Sequence, residues 1–305
     1  MNELISSFLV AHGNVGSRQA LVDLVGRISF DAEVRRGHLV RVFPRAYVRP
    51  WDGDDITLRR RAALISVGGR AGLSHRTALR QWDLPCPGFE AVVDLSVPWS
   101  RNPSPSAPGL RVHHIKEPFP EIVLVHGLPT VSCASAITTS WPYLRASDQR
   151  APFLAARRDK LVTPADVRRE LRRSTRIRGR RQLLELADLI DAGCESELEI
   201  WGYLDVFDIP ELAHANRQRV IEVDDHTYRL DLAYEAERLA VELDGRKFHA
   251  SPEQWERDIA RDLALATVGW QTIRLSHNRL TRDPAGCRRK VLNVLAARRQ
   301  MHLSS

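Results

Sequence analysis

The run Arg229-Leu230-Asp231-Leu232-Ala233-Tyr234-Glu235-Ala236-Glu237-Arg238-Leu239-Ala240-Val241-Glu242-Leu243-Asp244-Gly245 alternates with period two on both sides of a short polar break. That is the pattern of a half-buried strand pair. Leu230, Leu232 and Tyr234 share one face of the first strand, with Asp231 on the other. Leu239, Val241 and Leu243 form the matching face of the second, and Ala240, Glu242 and Asp244 look away from it. With residues 235–238 as the loop, Tyr234 pairs with Leu239 and Asp231 falls opposite Glu242. A slip by one residue would put valine among the acids and an acid in the core, so the pattern selects this register.

That register sets up a charge problem. Opposed side chains place their Cβ atoms about 4.5–5.5 Å apart, where like charges repel, and Asp244 adds a third carboxylate on the same face. A divalent cation would neutralise the cluster, and hard oxygen ligands suit Mg²⁺ or Mn²⁺. The competing reading points two of the three acids into open solvent, where strands often carry charge.

Working outward, Glu195 to Leu204 reads as a helix, followed by strands over Arg219 to Val223, Thr227 to Tyr234 and Leu239 to Asp244. Ser251-Pro252-Glu253-Gln254 has capping-box spacing with proline in the first turn, and the helix it opens stops at Gly269. Trp270 to Leu275 is a fourth strand, and Asp283-Pro284 opens a last helix. The order is αβββαβα, with acids on the first helix and on the second and third strands.

Ser196-Glu197-Leu198-Glu199, Arg229-Leu230-Asp231, Val241-Glu242-Leu243-Asp244-Gly245, His249, Arg257-Asp258 and Gly269-Trp270 through Arg274 resemble the domain of unknown function 559. That family is grouped with the very-short-patch-repair (Vsr) endonucleases in the PD-(D/E)XK restriction-endonuclease-like superfamily. The resemblance covers roughly residues 190–300 and implies an α/β restriction-endonuclease-like core over 190–305. It implies Asp231, Glu242 and Asp244 as metal ligands for Mg²⁺ or Mn²⁺, with Glu199 as an outer or second-metal ligand. The superfamily lysine is missing: Asp244 stands where it would be, and Lys247 lies three residues further on. Water activation would then fall to the metal, to a third carboxylate, or to His249. Vsr-like enzymes also depart from the lysine pattern and use histidine; the other reading of His249 is a packing residue. Arg257 and Arg261, at i and i+4, share a helix face and would reach the scissile phosphate, or else pair with Asp258 or Asp262.

Toward the start of the chain, Ser17 to Arg27 reads as a helix and a second opens at Ser29, broken by Gly37. His38 to Val48 then alternates like a basic hairpin turning at Phe43-Pro44. Helix, helix, hairpin is the order of a winged helix-turn-helix, which lays a helix in the major groove and a wing on the backbone. This region resembles the AbiEi-type antitoxin family; a small protein-contact module is the plainer reading. The resemblance implies DNA contacts from Arg35, Arg36, Arg41, Arg45 and Arg76, and the expected domain spans residues 1–100. Asp55 to Ser66 reads as a further helix, and Ser74 is placed to cap another. His75 beside it reads as a packing or phosphate-contacting residue. Residues 101–160 form a small β-rich scaffold section, whose His113, His114 and His126 lack metal-ligand spacing. Thr163-Pro164 starts a helix that runs into eight arginines between Arg168 and Arg181, and residues 161–189 read as a basic helical linker.

Composition agrees with this picture. The 305 residues carry a formal net charge of +7, mostly from arginine, which suits bidentate phosphate contact and makes nucleic acid the natural partner class. High arginine usage across a genome would produce the same excess. No stretch approaches the roughly 18 apolar residues of a membrane span, and the start lacks the zones of a secretory signal. Cys86, Cys133, Cys194 and Cys287 lie too far apart for a zinc site or disulfide framework, so a reducing cytoplasm is the expected compartment. The leading expectation is a metal-dependent DNA endonuclease, with a homodimer if both strands are cut. The alternatives are a non-catalytic, antitoxin-like DNA-binding regulator with a degenerate nuclease fold, and an RNA-directed nuclease or toxin.

Overall fold

A computed structural model describes residues 1–53, 55–100, 105–173, 176–194, 196–244 and 252–303. Contacts divide the chain into two compact units, Met1–Leu184 and Glu185–Ser305.

The first unit opens with α1 (Glu3–Ala11), β1 (Gly16–Ser17), α2 (Arg18–Val25), α3 (Arg27–Arg35), β2 (Val40–Phe43) and β3 (Ala46–Val48). Ser17 Oγ accepts the Ala20 amide at 3.1 Å and caps α2, and Gly26, at φ +78°, ends it. The strands form a small sheet in the order β1-β3-β2. Ile5, Leu9, Leu21, Phe30, Leu39 and Tyr47 make a core beneath it. Two helices and a hairpin therefore stand where the sequence places them, with α1 and β1 added.

Next come α4 (Ile56–Val67), β4 (Gly72–Leu73), α5 (His75–Gln81), β5 (Val93–Pro98), β6 (Leu110–Ile115), β7 (Ile122–Val125), β8 (Leu128–Val131), α6 (Cys133–Ser140), α7 (Ala151–Arg158) and α8 (Pro164–Arg173). The five strands form one sheet in the order β6-β5-β4-β8-β7. It takes strands from both sides of residue 100, the expected end of the first domain. Ser74 does not cap α5 with its side chain; its hydroxyl lies 3.0 Å from His75 Nδ1 instead. Thr163 and Asp166 exchange backbone and side-chain bonds across the first turn of α8. Val167 and Leu171 of α8 are fully buried. The basic run is therefore carried partly by a packed amphipathic helix, and it breaks before α9 (Arg180–Asp191), which crosses the division between the units.

In the second unit α10 (Glu197–Trp201) runs into a π-turn at Gly202–Val206. Then follow β9 (Asn216–Val223), β10 (His226–Tyr234), β11 (Leu239–Asp244), α11 (Pro252–Thr267), β12 (Gln271–Ser276), α12 (His277–Arg282) and α13 (Pro284–Leu303). The sheet order is β12-β11-β10-β9, antiparallel except for the β11–β12 pair. Tyr234 pairs with Leu239 and Leu232 with Val241, which is the register the alternation selects. The expectation of a half-exposed pair needs correcting. Ala233 and Ala240 are fully buried with Leu265 of α11 in one cluster, and Glu242 is only 8% exposed. Residues 232–234 and 239–243 are all buried, so neither face of the pair is open to solvent there.

Candidate active site

The β10–β11 ladder is recorded from Leu232/Val241 to Tyr234/Leu239 and goes no further toward Asp231 and Glu242. At that point a side chain replaces a backbone partner: the Leu243 amide donates to Asp231 Oδ2 at 2.8 Å. Asp231 thus sits where the strands part, held by the strand that carries Glu242.

Its other oxygen is held by a residue absent from the sequence-based expectations. Gln218 of β9 donates from Nε2 to Asp231 Oδ1 at 3.1 Å, to the Tyr203 hydroxyl at 2.8 Å and to Glu199 Oε2 at 3.4 Å. Gln218 has φ +49°, a left-handed conformation that costs a side-chain-bearing residue on the order of 1–3 kcal/mol. The flanking pairs Leu230–Arg219 and Leu232–Arg217 keep register around it. The twist therefore redirects one side chain without shifting the strand. Tyr203, in the π-turn, donates to the Asp231 carbonyl at 2.7 Å; such turns are frequent at functional sites. Glu199 accepts from Ser196 Oγ at 2.6 Å, so its oxygens join the first helix to Gln218. A buried glutamine next to a strand that starts with arginines was the available signal, but an apparent strand start at Arg219 hides it.

Glu242 accepts from Arg261 at 2.8 Å, and Arg261 also donates to the Arg229 carbonyl at 2.7 Å. Arg261 is therefore paired with Glu242, while Arg257 is exposed on the same helix. Asp258 and Asp262, on the same helix, face a different cation. Both pair with Arg274 of β12, at 3.5 and 2.9 Å, which the sequence reading did not single out. Asp244 closes β11 opposite Ser276 in the backbone. Its side chain, and the whole of Lys247 and His249, lie outside the described residues. Among the described residues no three histidine, cysteine or acidic side chains form a metal cluster; the pair Asp231 and Glu242 is what comes together.

Electrostatics mark that pair. Burial, then the Asp231 charge, pushes Glu242 up to about 7 against the pull of Arg261 and Arg274. Burial also raises Asp231, opposed by the Leu243 amide and by Gln218. Burial thus holds both carboxylates above their usual range, and for Glu242 the neighbouring Asp231 charge adds to it although Arg261 is paired with it. Each Asp231 oxygen carries one described hydrogen bond and has a second lone pair. Hard anionic oxygens of this kind fit a divalent cation. The Gln218 Oε1 atom is buried without a partner, a further acceptor left over beside them.

Of the expected DNA-contacting residues, Arg35, Arg36, Arg41 and Arg45 are exposed around α3 and the hairpin. Arg36 lies 3.6 Å from Glu33, and Arg45 holds φ +66° at the hairpin turn. Arg76 stands elsewhere, on α5 beside the five-stranded sheet. No helix among the described residues is long and apolar enough to cross a membrane.

Residues 209–295 match the model of the family REase_MTES_1575, so this part of the chain is restriction-endonuclease-like. Over 293 residues the chain is 27% identical to an uncharacterised protein of Mycobacterium tuberculosis, MT2308 in strain CDC 1551 / Oshkosh and Rv2248 in strain H37Rv. That alignment covers 91% of this chain and 97% of the relative. A crystal structure of the Rv2827c protein from the same species superposes with a TM-score of 0.39 at 14% identity, covering 60% of this chain and 76% of that one.

Proposed function

We propose that the protein is a divalent-metal-dependent DNA endonuclease. One observation carries the reading: Asp231, half-buried, and Glu242, buried, meet where β10 and β11 separate. A phosphodiester is anionic and has a poor leaving group, so it resists attack by hydroxide. A bound Mg²⁺ or Mn²⁺ supplies charge neutralisation and a more acidic water at such a centre. Asp231 and Glu242 would hold it, with Asp244 as the third ligand that the sequence resemblance implies. Gln218 and Tyr203 fix the Asp231 carboxylate and its backbone, so its oxygens do not turn away toward other donors. Arg261, if a bound cation took its place on Glu242, would donate to a phosphate oxygen. His249 keeps the role of base that the resemblance gives it, and Glu199 that of an outer ligand.

The helices α2 and α3 followed by the β2–β3 hairpin support a winged-helix module that brings the chain to duplex DNA, with Arg41 and Arg45 on the wing. A second reading is favoured by the Arg261–Glu242 pair: an internal cation already answers one acid, as a non-catalytic DNA-binding regulator would require. Plasmid nicking separates the two. With Mg²⁺ the wild type nicks, EDTA stops it, and Asp231→Ala and Glu242→Ala bind DNA without cutting. Fresh wild type that binds DNA irrespective of EDTA and never cuts would leave the regulator.

A further inference from the structure

The first unit contains a cavity of about 170 Å³ that the nuclease reading does not use. His75, Arg76, Arg80, Phe89, Arg111 and Tyr143 contribute to its wall. Beneath them is a buried polar stack: the His75 ring lies on His113 at 3.6 Å between centroids and 17° between planes, and His113 Nε2 is 2.9 Å from Asp94 Oδ1. His113 is a strand histidine, carried by β6 against the first residue of α5.

Charge around the cavity does not cancel. Glu90 is answered by Arg60, at 2.5 and 3.2 Å, and Asp94 by Arg111 at 3.6 Å. Arg76 donates to the Pro87 carbonyl at 2.9 Å and Arg80 to the Gly88 carbonyl at 3.0 Å. Neutral carbonyls orient these two guanidiniums and leave their charge in place; the nearest carboxylate to Arg80 is Glu90 at 3.9 Å, already taken. Arg76 Nε is buried without a partner.

His75 is 7% exposed, with φ +51°, a conformation seldom adopted outside sites that need it. The Ser74 hydroxyl has no described partner but His75 Nδ1. That contact holds the ring by Nδ1 and leaves Nε2 to the other side of the ring. Burial, with His113 beside it, lowers His75 to about 3, so the ring adds no charge to the wall. Two exposed rings complete the wall: Phe89 is 88% exposed, and Tyr143 stands edge-on to His75 at 5.4 Å. Anion donors beside aromatic surface are the chemistry that recognises a phosphate attached to a base.

We propose that this cavity binds a single 5′-nucleotide, free or at the end of a strand, with its phosphate on Arg76 and Arg80 and its base against Phe89 and Tyr143. The site lies within the first unit and is independent of the nuclease reading.

Calorimetric titration of the full chain in EDTA, where metal-dependent cleavage is silent, tests it. The probes are deoxyadenosine 5′-monophosphate, deoxyadenosine, inorganic phosphate, and one short single strand with a 5′-phosphate or a 5′-hydroxyl. The monophosphate should bind more tightly than either of its halves. Arg76→Gln and Arg80→Gln should each weaken it about tenfold or more, as expected for a lost hydrogen bond to a charged group. Tyr143→Leu, at a half-exposed side chain, should weaken the monophosphate but not inorganic phosphate; it serves if an arginine variant melts early. A phosphorylated strand that binds better than the free nucleotide identifies the strand end as the source, and the reverse identifies the free nucleotide. The proposal is overturned if neither binds, if phosphate alone binds as tightly as the nucleotide, or if folded variants bind like wild type. Absence of plasmid nicking would leave this result untouched.

Discussion

Gln218 is the side chain on which the acidic pair depends without being part of it. Its amide bridges Asp231, Tyr203 and Glu199, and its backbone accepts a left-handed conformation to do so. Outer partners of metal ligands typically carry 10–100-fold in affinity or activity. Gln218→Ala should therefore raise the Mg²⁺ concentration needed for half-maximal nicking by about 10–100-fold, with DNA retention unchanged. An unchanged Mg²⁺ dependence would reduce Gln218 to packing. Glu242 supports a second prediction. Its carboxyl moves from 4.5 to about 7 on folding, so between those values the folded chain holds a proton that the unfolded chain has lost. Metal-free stability must then fall as pH rises through that window. Glu242→Gln removes the dependence. Its stability relative to wild type, read by urea unfolding in EDTA, should rise by about 2–3 kcal/mol between about pH 4 and about pH 8. A constant difference would mean that Arg261 already compensates the charge.

Two packed elements hold the site in shape. The π-turn passes so close to β11 that a Cβ on Gly202 would meet Leu243 Cδ1 at 2.5 Å. Gly202→Ala should accordingly cost about 1–3 kcal/mol of stability, as overpacking of a full core does. Because Leu243 gives its amide to Asp231, nicking should fall as well. A variant as stable as wild type would show that α10 can retreat. At the other end of the hairpin, α13 grips the β10–β11 turn. Arg299 donates to Glu237 at 2.5 Å, Arg298 to the Glu237 carbonyl, and Glu237 is only 3% exposed. Arg299 is half exposed, so solvent screens its side of the pair. Arg299→Ala should still destabilise the protein by about 1–3 kcal/mol, because a buried carboxylate loses its cation. Sequence assigns Glu237 to a polar loop, where an exposed charge would cost nothing to remove.

Across the chain, the surplus of +7 is the property that long-range attraction to DNA reads. Each phosphate contact releases counterions, so the logarithm of affinity falls with the logarithm of salt in proportion to the contacts made. Arg41 and Arg45 are exposed on the hairpin. Replacing both by glutamine should reduce that salt slope by about 2, measured by fluorescence anisotropy on a duplex with the Asp231→Ala protein. An unaltered slope would remove the hairpin from the DNA-binding surface.

Alternation of leucine with acids was enough to settle the β10–β11 register from Leu232 to Tyr234 and the order of elements around it, whereas the direct opposition of Asp231 to Glu242 gave way to a bond from the Leu243 amide. Period-two patterning and capping residues are local signals, and a one-residue error would have buried charge. What local pattern could not reveal were partners brought in from distant positions. Gln218, Arg274 and the grip of α13 on Glu237 come from other strands and helices, and His75 meets His113 across thirty-eight residues of chain. Whether a charge is buried, and which cation answers it, depends on what packs over it. A strand's own residues record which way a side chain points but not what covers it.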